Sequence, residues 1–172
     1  MGKLFDTIFE VVFYFVMTVA FAVFITAVML PKNPPSEPAI VGDAAFKKDI
    51  KEALSFLKNH SPQDYAQICK YVRTIRLYNG QNSSTNAFGI VFYSRNSYLN
   101  DKSMQSNPKY YPTYPIARTL IHESTHCKQI DREPLTSAID CICLFLHIDF
   151  PTIRLSEGEA LAAERKFLAH LG

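Results

Sequence analysis

One stretch of this sequence, residues 119–129, combines the residue types and the spacing that a hydrolytic metal centre needs. The stretch, TLIHESTHCKQ, contains His122-Glu123-x-x-His126. On a helix, His122 and His126 lie on one face a turn apart, so their imidazoles can bind the same Zn²⁺. Glu123 stands beside them and can accept a proton from a water whose pKa the zinc lowers. The pattern predicts a zinc cofactor, two histidine ligands and Glu123 as the general base.

The segment that carries this motif has the pattern of a core helix. Pro115 suits its first turn, and apolar residues recur along one side at helical spacing. These apolar residues are Ile116, Ala117, Leu120, Ile121 and Ile130. An alternative interpretation is a buried helix whose two histidines are only hydrogen-bonded and whose glutamate is a surface residue. Both interpretations predict a helix that begins near Pro115.

A catalytic zinc site usually has three protein ligands and one open position, and the last predicted helix offers candidates for the third. We expect this helix to begin near Ser156. Glu157 shares a helical face with apolar residues, where its carboxylate needs a cation or hydrogen-bond donors. Glu159 lies on a more polar face and fits a capping box with Ser156. The sequence therefore predicts Glu157 as the third ligand and Glu159 as a rival, while Glu164 is a rival or a hydrogen-bond partner of a ligand.

The two segments together resemble a known family. His122-Glu123-x-x-His126, followed downstream by Glu157-x-x-Ala160, resembles the gluzincin branch of zinc metallopeptidases, in a minimal membrane-anchored form. The resemblance implies a zincin-like fold and Zn²⁺ held by His122, His126 and Glu157. It also implies that Glu123 is the general base and that the substrate is a peptide or protein.

The chain departs from related patterns at several positions. The metzincin continuation is absent, because its Gly and His positions hold Gln129 and Arg132. Many gluzincins have Asp or Asn after the alanine of the second motif, and this chain has Leu161 there. Glu159-x-x-Ala162 also fits the short pattern. The choice between the glutamates therefore stays open at this point.

The N-terminal part of the chain is strongly apolar. Residues 11–30 contain no charged side chain, and about 20 helical residues cover a hydrocarbon core of ~30 Å. The run is longer than the apolar region of a signal peptide and lacks a small-x-small cleavage site. It predicts a tail and single-pass anchor in the lipid bilayer over residues 1–30, a Pro-rich linker over 31–42 and a zincin-like metallopeptidase domain over 43–172. We expect that domain on the extracytoplasmic side, although the flanking positive charges do not decide the orientation.

Composition and cysteine spacing narrow the function classes further. The 172 residues carry a net charge of +2 with the charges mixed along the chain, so nucleic-acid binding has no support. The part after the anchor, about 130 residues, suits one domain. The four cysteines are Cys69, Cys127, Cys141 and Cys143. They form no C-x-x-C pair, and either a bridge from Cys127 to the Cys141 region or buried thiols fits their spacing.

Local patterns predict an α+β fold, mostly helical with a small sheet, preceded by one transmembrane helix. Asp43 and Pro62 mark two helix starts. Thr74–Tyr78 and 87–93 have strand character with turn residues between them, and 97–99 suggests a third strand. The open edge of such a sheet could hold an extended peptide across the metal.

These observations together predict a membrane-anchored zinc-dependent metallopeptidase, with Glu123 as the general base of peptide-bond hydrolysis. The alternative is a catalytically silent zinc-binding or zincin-like interaction module tethered to the membrane. The sequence names neither a preferred peptide nor an oligomeric state.

Overall fold

Helices form most of the structure, a computed structural model that describes residues 10–19, 21–22, 37–86, 89–104, 114–133 and 151–171. The helix α1 covers residues 10–19 and 21–22. The further helices are α2 (Ala44–His60), α3 (Pro62–Tyr71), α4 (Arg95–Met104), α5 (Tyr114–Arg132) and α6 (Pro151–Leu171). The strands are β1 (Ala39–Val41), β2 (Thr74–Tyr78), β3 (Ser84–Thr85) and β4 (Ile90–Ser94).

The four described strands form one mixed sheet in the order β1-β2-β4-β3. β1, β2 and β4 run parallel, with Ile75 of β2 opposite both Ile40 and Val91. β3 runs antiparallel to β4 and lies at one edge. The predicted strand at Thr74–Tyr78 is confirmed, but the turn residues that follow it do not join it to β4 as a hairpin. β4 returns parallel to β2, and β3 takes the antiparallel position instead.

The third strand expected at residues 97–99 is also wrong, because these residues lie in α4. The hydroxyl of Ser94 accepts a hydrogen bond from the amide of Ser97 at 2.9 Å. A serine that pairs with the third amide of a helix is a strong local start signal. The cap therefore outweighs the strand preference of the short apolar tripeptide.

The core lies between the sheet and the helices α2, α3, α5 and α6. α2 begins as the sequence predicts, because the Asp43 carboxylate accepts a hydrogen bond from the Phe46 amide at 2.9 Å. Apolar residues at helical spacing then bury its inner face; they are Phe46, Ile50, Ala53, Leu54 and Leu57. α3 likewise begins at the predicted Pro62. The site-bearing helix α5 packs on this layer.

The last helix begins earlier than the sequence indicates. α6 starts at Pro151, a residue suited to a first helical turn, so Ser156 lies inside the helix. The predicted capping box between Ser156 and Glu159 is therefore wrong, and the Glu159 carboxylate has other partners.

The predicted transmembrane helix is contradicted. Across the described parts of the chain, no helix is both long and apolar enough to cross a membrane. This finding contradicts three predictions. They are the single-pass anchor, the bilayer contact through residues 11–30, and the extracytoplasmic placement that depended on both. Residues 23–30 of the predicted span lie outside the described residues, and β1 uses the last residues of the predicted linker.

Candidate metal centre

The helix α5 holds the motif residues between the core and α6. Its buried side packs against α2 and α3, and its other side faces α6. The side-chain amide of Gln67 on α3 donates to the hydroxyls of Ser124 and Thr125 at 3.1 and 3.2 Å. These contacts fix the rotation of α5, so His122 and His126 lie together on the side that faces α6.

The helix α6 is held against α5 by aromatic packing. Phe167 is fully buried, and its ring centroid lies 5.4 Å from that of Tyr114 and 6.5 Å from that of Phe56. Ala160 is also fully buried, so the two helix backbones can approach closely. This packing carries Glu157 to the motif.

The structure brings His122, His126 and Glu157 together. The Nε2 atoms of the two histidines lie 3.0 Å apart. The Glu157 carboxylate oxygens lie 3.6 Å from Nε2 of His122 and 3.5 Å from Nε2 of His126. Ligand atoms of all three residues fall within 4.8 Å of one another, a group that could hold a metal ion. The Glu157 side chain is 54% exposed, so the group opens toward solvent.

Hydrogen bonds on the other side of the two rings decide where their protons lie. Nδ1 of His122 lies 2.6 Å from Oε1 of Glu164, and a carboxylate can only accept. Nδ1 of His126 lies 3.0 Å from Oε1 of Gln129. The Gln129 amide is oriented by its own NH₂ group, which donates to Glu159 at 3.3 Å. Both Nδ1 atoms therefore donate, and in a neutral ring each Nε2 presents a lone pair to the group.

Three electron-pair donors thus converge on one point, an arrangement that needs a cation or a proton between them. A tetrahedral ion with bonds of 2.0–2.1 Å places its donor atoms roughly 3.3 Å apart. The observed separations of 3.0, 3.5 and 3.6 Å bracket that value. The donor set therefore fits a small divalent cation.

The pKa values of the two histidines move in opposite directions. Burial lowers the pKa of His122, but the hydrogen bond with Glu164 and the nearby carboxylates outweigh it and raise the pKa. Burial lowers the pKa of His126, and the neighbouring His122 lowers it further. Because each ring opposes a charge on the other, the pair holds one extra proton more readily than two.

Glu123 lies beside this group and is 5% exposed. Its Oε2 atom has no hydrogen-bond partner among the described residues. Burial is the main reason that the pKa of Glu123 rises to about 7, with the charges of Glu157 and Glu164 acting in the same direction. A buried carboxyl with such a pKa can accept and return a proton near neutral pH.

The rival ligands Glu159 and Glu164 lie outside the three-residue group. Glu164 pairs with Nδ1 of His122 and lies 3.5 Å from the Arg118 guanidinium. Glu159 lies 2.9 Å from the Arg132 guanidinium and accepts from Gln129. Sequence reasoning missed Gln129 and Arg132 as parts of the site. Their spacing after His126 on the same helix is the signal that could have found them.

The cysteine alternatives are partly resolved. Cys127 is a free thiol, 3% exposed, and its burial raises its pKa to about 12. Its sulfur lies 3.6 Å from the Thr85 hydroxyl. Of the two alternatives that the sequence left open, the structure therefore has Cys127 as a small buried thiol and not as part of a bridge. Cys69 is also free, while Cys141 and Cys143 lie outside the described residues.

Comparisons with known proteins add no family. No model of a known family matches the chain, and searches of curated proteins and of solved structures find no match. The resemblance to gluzincins therefore depends on His122, Glu123, His126 and Glu157 alone.

Proposed function

We propose that the chain is a zinc-dependent metallopeptidase in which His122, His126 and Glu157 bind the ion and Glu123 is the general base. The observation that carries the proposal is the convergence of three lone-pair donors at separations that suit a tetrahedral ion. Two imidazole nitrogens and one carboxylate are a ligand set that zinc uses in hydrolytic sites, where the fourth position stays open. When bound, zinc lowers the pKa of a water and polarises a carbonyl group.

The protein supplies the proton transfers through Glu123. Its carboxylate is buried next to the ligands and its Oε2 has no partner in the described part of the chain, so this oxygen keeps its lone pairs for a proton. Glu123 then accepts the proton of the attacking water and passes it to the amine that leaves when the peptide bond breaks. Burial keeps competing water away from this carboxylate.

Glu164 and Gln129 orient the two ligand rings. Each accepts a hydrogen bond from an Nδ1 atom, which fixes the tautomer and the ring plane. Glu164 provides on α6 the support that many gluzincins take from the residue after the alanine, which is Leu161 in this chain.

The edge strand β3 is the proposed place for the substrate backbone. The Thr85 hydroxyl donates to the Glu123 carbonyl at 3.3 Å, so β3 lies directly against the motif helix. An extended peptide that adds to the outer side of β3 would pass next to the metal group. Main-chain hydrogen bonds would then hold the substrate without selecting one side chain.

The decisive variant is Glu123→Gln, which keeps the size of the side chain and removes its basicity. We expect the wild-type full chain to bind one zinc and cleave members of a broad peptide library. The variant should bind zinc equally and cleave roughly 10²–10⁴ times more slowly. Elemental analysis and mass spectrometry of the products measure the two properties. Equal inertness of both proteins, each with zinc bound, would reject the enzyme and support the silent zinc-binding module.

A further inference from the structure

A groove lies at the edge of the sheet away from β3. It has a volume of about 530 Å³ between α2 and the segment that leads into β1. Leu54 and Ile40 supply apolar lining, and Tyr65 also lines the groove and donates its hydroxyl to Glu37 at 2.7 Å. A volume of this size accommodates a small ligand or several residues of an extended peptide.

Three lysines make the charge of this groove mainly positive. Lys47, Lys51 and Lys58 all line it, and all three are exposed. Among the described residues that line it, Glu37 is the one that is acidic, and its carboxylate accepts the Tyr65 hydroxyl. By contrast, Lys48 on the outer side of α2 has Glu52 as its ion-pair partner. A concave surface with clustered ammonium groups favours an anionic ligand.

The strand β1 adds backbone hydrogen-bonding groups to this surface. No described strand pairs with its outer side, since β1 is the first strand of the sheet. The amide of Ala39 points inward and donates to the Arg73 carbonyl at 2.8 Å. Successive residues of a strand direct their amides to opposite sides, so the amide and carbonyl of Ile40 point to the open edge. An open edge of this kind is a template for another strand.

The spacing of the lysines matches that of an extended peptide. Lys47 and Lys51 are four residues apart on a helix, which separates them by about 6 Å along its axis. Alternate residues of a β-strand, which share one face, are about 6.6 Å apart. Two acidic side chains at alternate positions can therefore reach both lysines while the backbone between them pairs with Ile40.

We propose that the groove between α2 and β1 is a docking site for an extended acidic peptide segment of a partner protein. The segment adds to β1 through its backbone, and its carboxylates meet Lys47, Lys51 and Lys58. This site lies at the opposite edge of the sheet from β3, so it does not depend on the proposed peptidase activity.

Fluorescence anisotropy with the full chain tests the proposal. The probe is a short labelled peptide of alternating Val and Glu, and the reference is the same peptide with Gln in place of Glu. We expect the acidic probe to bind, and the triple variant Lys47→Gln, Lys51→Gln, Lys58→Gln to weaken it roughly tenfold or more. The matched control, Lys48→Gln, Lys70→Gln, Lys166→Gln, removes the same charge from other exposed sites and should change binding less than twofold.

Two further experiments separate the contributions of the peptide backbone and of the metal site to probe binding from the contribution of the lysine charges. A probe with N-methylated backbone should bind more weakly, because it cannot donate to the Ile40 carbonyl. The Glu157→Ala variant should bind the probe as wild type does. Equal weakening by both lysine triples, equal binding of the Gln peptide, or loss of binding in Glu157→Ala would overturn the proposal. So would a dT oligonucleotide that binds as tightly as the acidic probe and is lost in the groove variant.

Discussion

Two polar clusters flank the same helix, and they differ in whether hydrogen-bond donors of the protein reach their acceptor atoms. The carboxylate cluster consists of Tyr93, Asp101 and Thr119. Tyr93 and Thr119 both donate their hydroxyls to Oδ2 of Asp101, the latter at 2.8 Å. The metal cluster consists of His122, His126 and Glu157, where lone pairs face one another at 3.0 to 3.6 Å.

The comparison distinguishes a cluster that its own donors satisfy from a cluster that could hold a metal ion. In the carboxylate cluster the chain supplies its own donors, so a charge that is 4% exposed is satisfied internally. In the metal cluster both Nδ1 hydrogens point to Glu164 and Gln129, away from the Nε2 atoms and the Glu157 carboxylate. Because both Nδ1 hydrogens point away from the converging Nε2 and carboxylate atoms, a cation can bind between those atoms.

The largest effect should come from supplying that cation. At a zinc concentration 1,000 times its dissociation constant, binding should raise the free energy of unfolding by about 4 kcal/mol. Glu157→Ala should remove most of this gain, because it deletes one of three ligands. Thermal denaturation with zinc and with a chelator measures both proteins.

The control for this experiment is Asp101→Asn, which changes the carboxylate cluster and leaves the metal cluster intact. It should keep the full zinc-dependent gain. If zinc stabilises the Glu157→Ala protein as much as wild type, the ion binds elsewhere and the contrast between the clusters fails.

A smaller effect should follow from weakening the hydrogen bond between Glu164 and the imidazole of His122. Glu164→Gln retains an acceptor for Nδ1 of His122 but loses its charge, and we expect zinc affinity to fall by roughly 10- to 100-fold. Competition with a chromophoric chelator measures this affinity. Glu159→Gln, which acts on His126 through the Gln129 amide and through the charge it removes, is the matched variant and should lose less. Equal affinity of Glu164→Gln and wild type would show that the ring needs no charged partner.

Much of the metal cluster could be predicted from the sequence because it depends on helical periodicity. The turn between His122 and His126 follows from residue spacing alone. Glu157 lies with them as predicted, but not on a buried face, because its side chain is 54% exposed and Leu161 on the same face is 43% exposed. The role of Glu164 stayed open, since periodicity gives a face but not the distance to the opposite helix. The role of Gln129 was missed because it depends on a contact between two helices. Gln129 can orient the His126 ring only because Glu159 on α6 accepts a hydrogen bond from its NH₂ group.

The sheet and the N-terminus are regions where local sequence patterns predicted the wrong structure. Asn79-Gly80 carries a strong local turn signal, yet β2 and β4 are parallel, because strand pairing is decided by contacts distant in sequence. The apolar run at residues 11–30 has the composition of a membrane span, yet among the described residues no helix is both long and apolar enough to cross a membrane. In both places the prediction used a local sequence pattern for a feature that the pattern alone does not determine.

The smallest effect concerns the pH dependence of the carboxylate cluster. Burial raises the pKa of Asp101 above its usual 3.8, while the hydrogen bonds from Tyr93 and Thr119 oppose the rise. Because the folded protein binds this proton more tightly than the unfolded chain, Asp101 contributes stability below pH 3.8. That contribution is lost as the pH rises through the folded pKa.

Asp101→Asn does not titrate, and its side-chain oxygen can still accept from both hydroxyls. The unfolding free energy of wild type relative to this variant should therefore decrease with rising pH across that window and then level off. Urea denaturation at a series of pH values, with chelator present, measures the difference. An increase with pH would mean that the two hydroxyl donors outweigh burial. The Asp101 carboxylate would then be stabilised in its charged form, and the carboxylate cluster would be satisfied more completely than its burial indicates.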